Sequence, residues 1–150
     1  MTIHLVQTDT EICSCYPVMQ ILRPHLTAEQ FLPRVRQQQQ TGYQLAYLRQ
    51  GDEIVAVAGF RVGENLAWSR YLYVEDLVTA PAQRSRGYGA ALLAWVQEYG
   101  AGLGCQQIHL DSGLQRTDAH RFYDREGFQR TGYHFAREIA PAEPESMDAP

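Results

Sequence analysis

The sequence predicts a single mixed α/β domain, and three observations lead there. The chain has 150 residues, 45% of them apolar, which is enough to bury one proper core. Residues 43–49 and 54–61 are strand-like runs on either side of Gly51-Asp52, the pattern of a β-hairpin. Residues 71–111 then run strand, glycine-rich turn, helix, strand. That order is a βαβ unit, whose two strands lie parallel and are joined by a right-handed crossover.

The other elements follow from periodicity and capping. Ile3-His4-Leu5-Val6 reads as a short strand. A helix follows from about Thr10, with Ile12, Val18, Met19 and Leu22 on its apolar side and an irregularity expected at Pro17. Thr27 and Gln30 have the spacing of a capping box, which opens a helix through about Gln39. After a loop at Gly63-Glu64-Asn65, a third strand runs from about Arg70 to Thr79 and Pro81 ends it. Residues 87–99 form an amphipathic helix with Leu92, Leu93, Val96 and Tyr99 inward; Gly100, Gly102 and Gly104 release it. Gln107-Ile108-His109-Leu110 is a strand, residues 118–126 a short helix, and residues 128–139 one or two final strands. Residues 140–150, with three prolines and three acids, are expected to be a disordered tail, leaving 1–139 as the folded domain.

Composition narrows the function. A net charge of −4 argues against a nucleic-acid binder, which would carry a basic patch. No apolar stretch approaches the roughly 20 residues of a membrane span, and the N-terminus lacks the pattern of a secretory signal, so a cytoplasmic location is expected. Cys13, Cys15 and Cys105 show neither zinc-ligand nor redox spacing. They are read as reduced thiols with no structural metal, Cys13 and Cys15 being small buried residues near a helix start.

The chemistry concentrates in the turn Thr79-Ala80-Pro81-Ala82-Gln83-Arg84-Ser85-Arg86-Gly87-Tyr88-Gly89-Ala90. Gly87 and Gly89 let backbone approach a ligand closely, and the free N–H groups of the following helical turn make an anion site with Arg84 and Arg86 beside it. A Walker loop needs a lysine, and all 13 positive residues of this chain are arginine. A dinucleotide fingerprint needs a third small residue where Leu92 stands. Asp111-Ser112 near a histidine lacks the nucleophile elbow of a hydrolase.

What remains, Arg84-x-x-Gly87-x-Gly89 after a strand, resembles the pyrophosphate loop of the GNAT (Gcn5-related N-acetyltransferase) superfamily. Ala119-His120-Arg121-Phe122-Tyr123, followed by Gly127-Phe128, resembles that family's second signature, in the expected order. The strong likeness covers residues 71–132. It implies a central, mostly antiparallel sheet with one parallel strand pair around the Gly87 helix, and acetyl-CoA as co-substrate wedged where those strands part. Amides of Arg86 to Ala90, with Arg84 and Ser85, would hold the pyrophosphate, and the pantetheine arm would pair along Leu77-Val78-Thr79. The family commonly has Asn three residues before the Ala of the second signature; this chain has Arg116.

Acetyl transfer to an amine needs a base, a donor for the negative charge that develops on the thioester oxygen, and a proton for the departing thiolate. The resemblance implies Tyr123 as the acid and the Val78 backbone N–H as the donor. Base candidates stand in Tyr73-Val74-Glu75-Asp76-Leu77. Strand alternation places Tyr73, Glu75, Leu77 and Thr79 on one face and Asp76 on the other with Val74 and Val78. Two adjacent acids inside an apolar strand call for a reason. A bulge or salt bridges to arginine would supply one. The other is a resemblance to the diamine N-acetyltransferases, in which such a pair faces the polyamine and the Glu works through water. His120 is expected to be exposed on its helix or to cap it, and His109 to be structural.

The resulting expectation is an acetyl-CoA-dependent N-acetyltransferase acting by direct attack in a ternary complex. Its acceptor would be a small cationic amine bound by Glu75 and Asp76, with Glu75 as base. A protein acetyltransferase acting on Lys or N-terminal amines, or a non-catalytic acyl-CoA sensor, are the alternatives. A homodimer is left open.

Overall fold

The computed structural model of the chain describes residues 1–140; the expected tail beyond them lies outside the described residues. The described residues fall into two compact units, one of residues 1–112 and one from residue 113 onward.

The first unit is built on a five-stranded sheet in chain order. Its strands are β1 (Thr2–Leu5), β2 (Tyr43–Gln50), β3 (Glu53–Asn65), β4 (Ser69–Thr79) and β5 (Gln107–Leu110). The pairs β1–β2, β2–β3 and β3–β4 are antiparallel, and β4–β5 is parallel. Helices α1 (Asp9–Leu22), α2 (Ala28–Gln39) and α3 (Tyr88–Gly102) complete it. Both Thr8 and Thr27 close full capping boxes, with Glu11 and Gln30. Thr27 is the start the sequence announces. At Thr8 the helix opens a residue or two earlier than its apolar pattern does, because Glu11 reaches back to the cap amide.

Pro17 sits inside a continuous α1 rather than breaking it. The helix buries Ile12, Cys15, Val18 and Met19, spaced for one face, and that burial outweighs one missing backbone bond. Cys15 is buried, its thiol pushed up to about 12 by burial, but Cys13, expected to be buried with it, is exposed because two residues turn a helix to its opposite side.

The helices cover both faces of the sheet. On one, Ile12, Cys15, Val18 and Met19 of α1 and Phe31 and Val35 of α2 pack with Tyr43, Leu45, Tyr47, Val57 and Val78. On the other, α3 lies over Phe60, whose ring meets Tyr99 edge-on at 5.6 Å, and over Leu72, against which Gly100 is set.

One irregularity decides which β4 residues go where. Gly59 pairs with Asp76 but Phe60 pairs with Val74, so Glu75 is an extra residue with no partner on β3. Such a bulge shifts the alternation by one. Val78 and Asp76 therefore face α1 and α2, while Val74 and Leu72 pair with Phe60 and Val62 under α3. The unbulged alternation, with Asp76 sharing a face with Val74, is corrected by this observation.

The second unit holds α4 (Thr117–Arg125). The final strands expected at residues 128–139 are absent among the described residues. The alternation of Tyr133 and Phe135 with polar neighbours is strand-like, but a strand exists only against a partner. Among the described residues this segment pairs with no strand, and Tyr133, Phe135 and Ile139 are exposed.

Gly59 has no room for a side chain. A Cβ there would fall inside the Tyr43 hydroxyl and 2.7 Å from Asp76 Oδ2. Gly59→Ala is expected to destabilise the fold by about 1–3 kcal/mol, the usual penalty of overpacking. Urea unfolding measures it; an unchanged midpoint would show that the Tyr43 side chain gives way freely.

Candidate active site

Strand β4 carries the site, and its two edges differ. Toward β3 it is paired to its end, where the Ala80 amide donates to the Val55 carbonyl at 2.8 Å. Toward β5, pairing stops at Val74–Leu110, so residues 75–79 have no strand beside them on that side among the described residues. Backbone groups point alternately to the two edges. Ala80 bonds to β3, so Val78, two residues earlier and paired with Val57, turns its amide the same way. Leu77 and Thr79 turn theirs to the open edge. Of the three β4 residues expected along the pantetheine arm, Leu77 and Thr79 turn their N–H groups to the open edge and Val78 turns its own to β3, which corrects the expectation for the Val78 amide.

The glycine turn follows at once. Pro81–Gln83 form one 3₁₀ turn, then Arg84, Ser85 and Arg86 lie exposed before α3. Ser85 and Gly87 both take left-handed backbone, at φ 65° and 82°. For Gly87 this is free of strain and for Ser85 it is not, a pattern met where a loop is shaped for a ligand. Gly87 caps the helix without a side chain. The first α3 amide to bond back is that of Ala91, to Gly87 O at 3.0 Å. Those of Tyr88, Gly89 and Ala90 precede it and project from the helix end with no acceptor among the described residues.

On the α1/α2 side of β4 lies a cleft of about 270 Å³, lined by both Glu75 and Asp76. The bulge is why adjacent strand residues reach one cleft. Asp76 is buried, 9% exposed, and its carboxylate accepts hydrogen bonds from Arg23 Nε and the Tyr43 hydroxyl, each at 2.8 Å. Burial, then the Asp76 charge, raises the Tyr43 phenol well above its ordinary value, so it stays a donor. Arg23 spends a further N–H on the Glu75 carbonyl at 3.0 Å. The Glu75 carboxylate is half-buried, with Arg61 Nε 2.7 Å away but out of line for a hydrogen bond. Burial raises its pKa against the downward pull of Arg61.

Arg23, Tyr43, Gly59 and Arg61 were not singled out by sequence reasoning. A glycine inside an apolar strand is a known sign of a bulge or close approach, and Gly59 carried that signal. Arg23, the residue after α1, had none.

His109 stacks on Trp68 with ring centroids 3.5 Å apart, a packing role. In the second unit, His120 Nε2 lies 2.7 Å from the Gly113 carbonyl. Tyr123 packs edge-on against Phe122 and Phe128, and burial raises its phenol pKa while Arg116 opposes. Arg116 is the N-cap of α4 and makes no side-chain cap, as an Asn there could.

A mixed sheet that opens beside a glycine-led helix end is the architecture of a CoA-dependent acyltransferase, and known proteins agree. A model of the acetyltransferase (GNAT) family matches residues 7–128. The uncharacterized N-acetyltransferase YhdJ of Bacillus subtilis is 36% identical over 141 residues, 91% of this chain and 99% of that one. Aminoalkylphosphonate N-acetyltransferase of Salmonella typhimurium is 33% identical over 98 residues, 65% of this chain and 62% of that one. The fold also superposes on aminoglycoside N-acetyltransferase AAC(6')-Iy in complex with CoA, with a TM-score of 0.79 over 93% of this chain and 98% of that one, at 18% identity. The chain belongs to the GNAT family and is an acetyl-CoA-dependent N-acyltransferase.

The residues present fit acetyl-CoA. The open edge at Leu77 and Thr79 offers backbone groups to an extended amide chain, and the amides of residues 88–90 with Arg84 and Arg86 suit a pyrophosphate. Gly87→Val should abolish acetyl-CoA binding in calorimetry, because a β-branched side chain is disfavoured at φ 82° and would stand in the ligand's approach. Gly87→Asn, which tolerates that backbone, should keep part of it. Unchanged affinity in folded Gly87→Val protein would remove the loop from the binding site.

Proposed function

We propose that the chain acetylates a small primary amine, cationic in solution, by direct attack within a ternary complex. The observation that supports this reading is that an open strand edge and a cleft with a carboxylate lie side by side on β4. Leu77 faces the open edge of β4, and Glu75 stands two residues back, roughly 7 Å along the strand, in the adjoining cleft. The names of two relatives, which act on aminoalkylphosphonates and aminoglycosides, support a small amine as acceptor.

Acetyl-CoA supplies an acetyl group activated as a thioester. The chain's own groups then have distinct tasks. The Leu77 amide donates a hydrogen bond to the acetyl oxygen as negative charge grows there. Glu75 takes a proton from the bound ammonium through one water, freeing the nitrogen lone pair to form the new C–N bond. Burial raises its pKa, which makes it a stronger base, and Arg61 pulls in the opposite direction. Asp76 is held by Arg23 and Tyr43 and serves to position, not to exchange protons. Tyr123, protonated because burial raises its pKa, gives its proton to the sulfur as the C–S bond breaks. The nitrogen gives up its second proton as the C–S bond breaks, which restores the Tyr123 phenol through water, and the products are an amide, a free thiol and the proton taken up by Glu75.

Tyr123→Phe keeps the packing and removes the acid. It should lower kcat by about 10²–10⁴ with little change in the KM for acetyl-CoA; an undiminished kcat would assign that proton to another group. Glu75→Gln keeps size and hydrogen bonding. Wild-type kcat/KM should rise with pH through a limb above the ordinary carboxylate range, since the base must be ionised and burial raises its pKa. The variant should lose that limb and about 10²-fold or more in rate, with CoA affinity near normal. A pH–rate profile identical to wild type would make the acidic pair structural.

A further inference from the structure

The charges of the cleft do not suit a polycation. Its two carboxylates are already matched: Asp76 by Arg23, and Glu75 by Arg61 at its back. Two more basic side chains, Arg34 and His25, also line it. Arg34 stands on the face of α2 that Phe31, Val35 and Gln38 share, at spacings of three and four residues, so this face turns to the cleft as a unit. Phe31 and Val35 are buried, whereas the Arg34 side chain is exposed at the cleft. Arg36, two residues on, turns to the other side and is bound by Asp9. Arg34 has neither a hydrogen bond nor an ion pair among the described residues. Around Glu75 and Asp76 there are thus three guanidiniums for two carboxylates, and the unmatched one is Arg34.

A guanidinium standing alone beside an apolar patch and a site for an ammonium is what an acceptor with an anionic end would require. We propose that the acceptor is a small zwitterion, an amine separated by a short spacer from a carboxylate, phosphonate or phosphate, with its amine at Glu75 and its anion held by Arg34. Arg34 is then a specificity-determining residue. A fork of N–H donors fits any of these anions, and a charge-assisted pair of this kind is among the stronger polar contacts. His25 lies at the same mouth and offers a further ring N–H. A diamine would instead place its second ammonium against Arg34, a like-charge contact that costs affinity. The inference rests on the acetyl-transfer reading above and refines its acceptor.

Four acceptors with the same two-carbon spacer and different tails test it: β-alanine, 2-aminoethylphosphonate, propylamine and 1,3-diaminopropane, assayed by thiol release with saturating acetyl-CoA. Wild-type protein should turn over one or both anionic-tailed amines with a kcat/KM at least about tenfold above propylamine, and 1,3-diaminopropane should rank last. Which anion ranks first separates a carboxylate acceptor from a phosphonate one. Arg34→Ala should raise the KM for the preferred acceptor about 10- to 100-fold with a smaller change in kcat, and shrink its advantage over propylamine below about threefold. Arg34→Lys should recover part of the loss, since it restores charge but not the fork. A preference for 1,3-diaminopropane, or an Arg34→Ala effect equal on all four tails, would overturn the zwitterion inference while leaving acetyl transfer intact. Absence of thiol release with all four would count against both.

Discussion

Between Val74 and Asp76, strand β4 carries one residue more than the strand it pairs with, and Gly59 lies opposite the step. The extra residue is Glu75. Its presence lets a single strand serve two cores: Leu72 and Val74 pack beneath α3, while Val78 packs with α1 and α2. It also brings a carboxylate pair to one cleft, which an unbroken strand could not do with adjacent residues. The ends of the bulge are fixed by polar contacts. Asp76 is held between Arg23 and Tyr43, and Arg23 reaches the Glu75 carbonyl as well, so the backbone at the step is tied from α1's end.

The second consequence is on the sheet's edge. The parallel partner β5 ends at Leu110, level with Val74, and beyond that point β4 is one-sided among the described residues. Unpaired backbone beside a core carries a desolvation cost unless water or a ligand satisfies it. Here one 3₁₀ turn and a short loop lead from the open groups to a helix start whose first amides also have no acceptor among the described residues. One elongated ligand, amide-bearing along its arm and anionic at its far end, would satisfy both stretches together. The folded chain thus presents two groups of donors, at Leu77 and Thr79 and at residues 88–90, before any ligand arrives, the preorganisation on which binding and charge stabilisation both depend.

Much of this was legible in the residues. Thr27 and Gln30 announced α2, Gly51-Asp52 the hairpin, and the strand β5 falls on the four residues its apolar pattern marks. These are local signals, set by neighbours within a few positions. The faces of β4 were not legible, because a bulge depends on the partner strand's register, and alternation read from one strand alone assumes none. The Val78 amide was expected from the family resemblance, which carries no information on this strand's bulge. Arg23 and Tyr43 escaped notice because they meet Asp76 from 53 and 33 residues away. Tyr133 and Phe135 misled in the opposite sense: their spacing is that of a strand, but the sequence does not state what such a strand would pair with.

The close fit of Gly59 beneath the Tyr43–Asp76 hydrogen bond also bears on how this cleft can change over time. Gly59, Tyr43, Asp76 and Arg23 share atoms or contacts in one network, and substitutions inside such a network do not act independently. A new side chain at any one of the four alters what the other three will tolerate, so drift at these positions is expected to be correlated and slow. The α2 face is freer, since Arg34 and Gln38 meet the cleft without being enclosed by it. Changes in the cleft's lining should therefore arise first along that helix, with the strand and its bulge inherited unchanged.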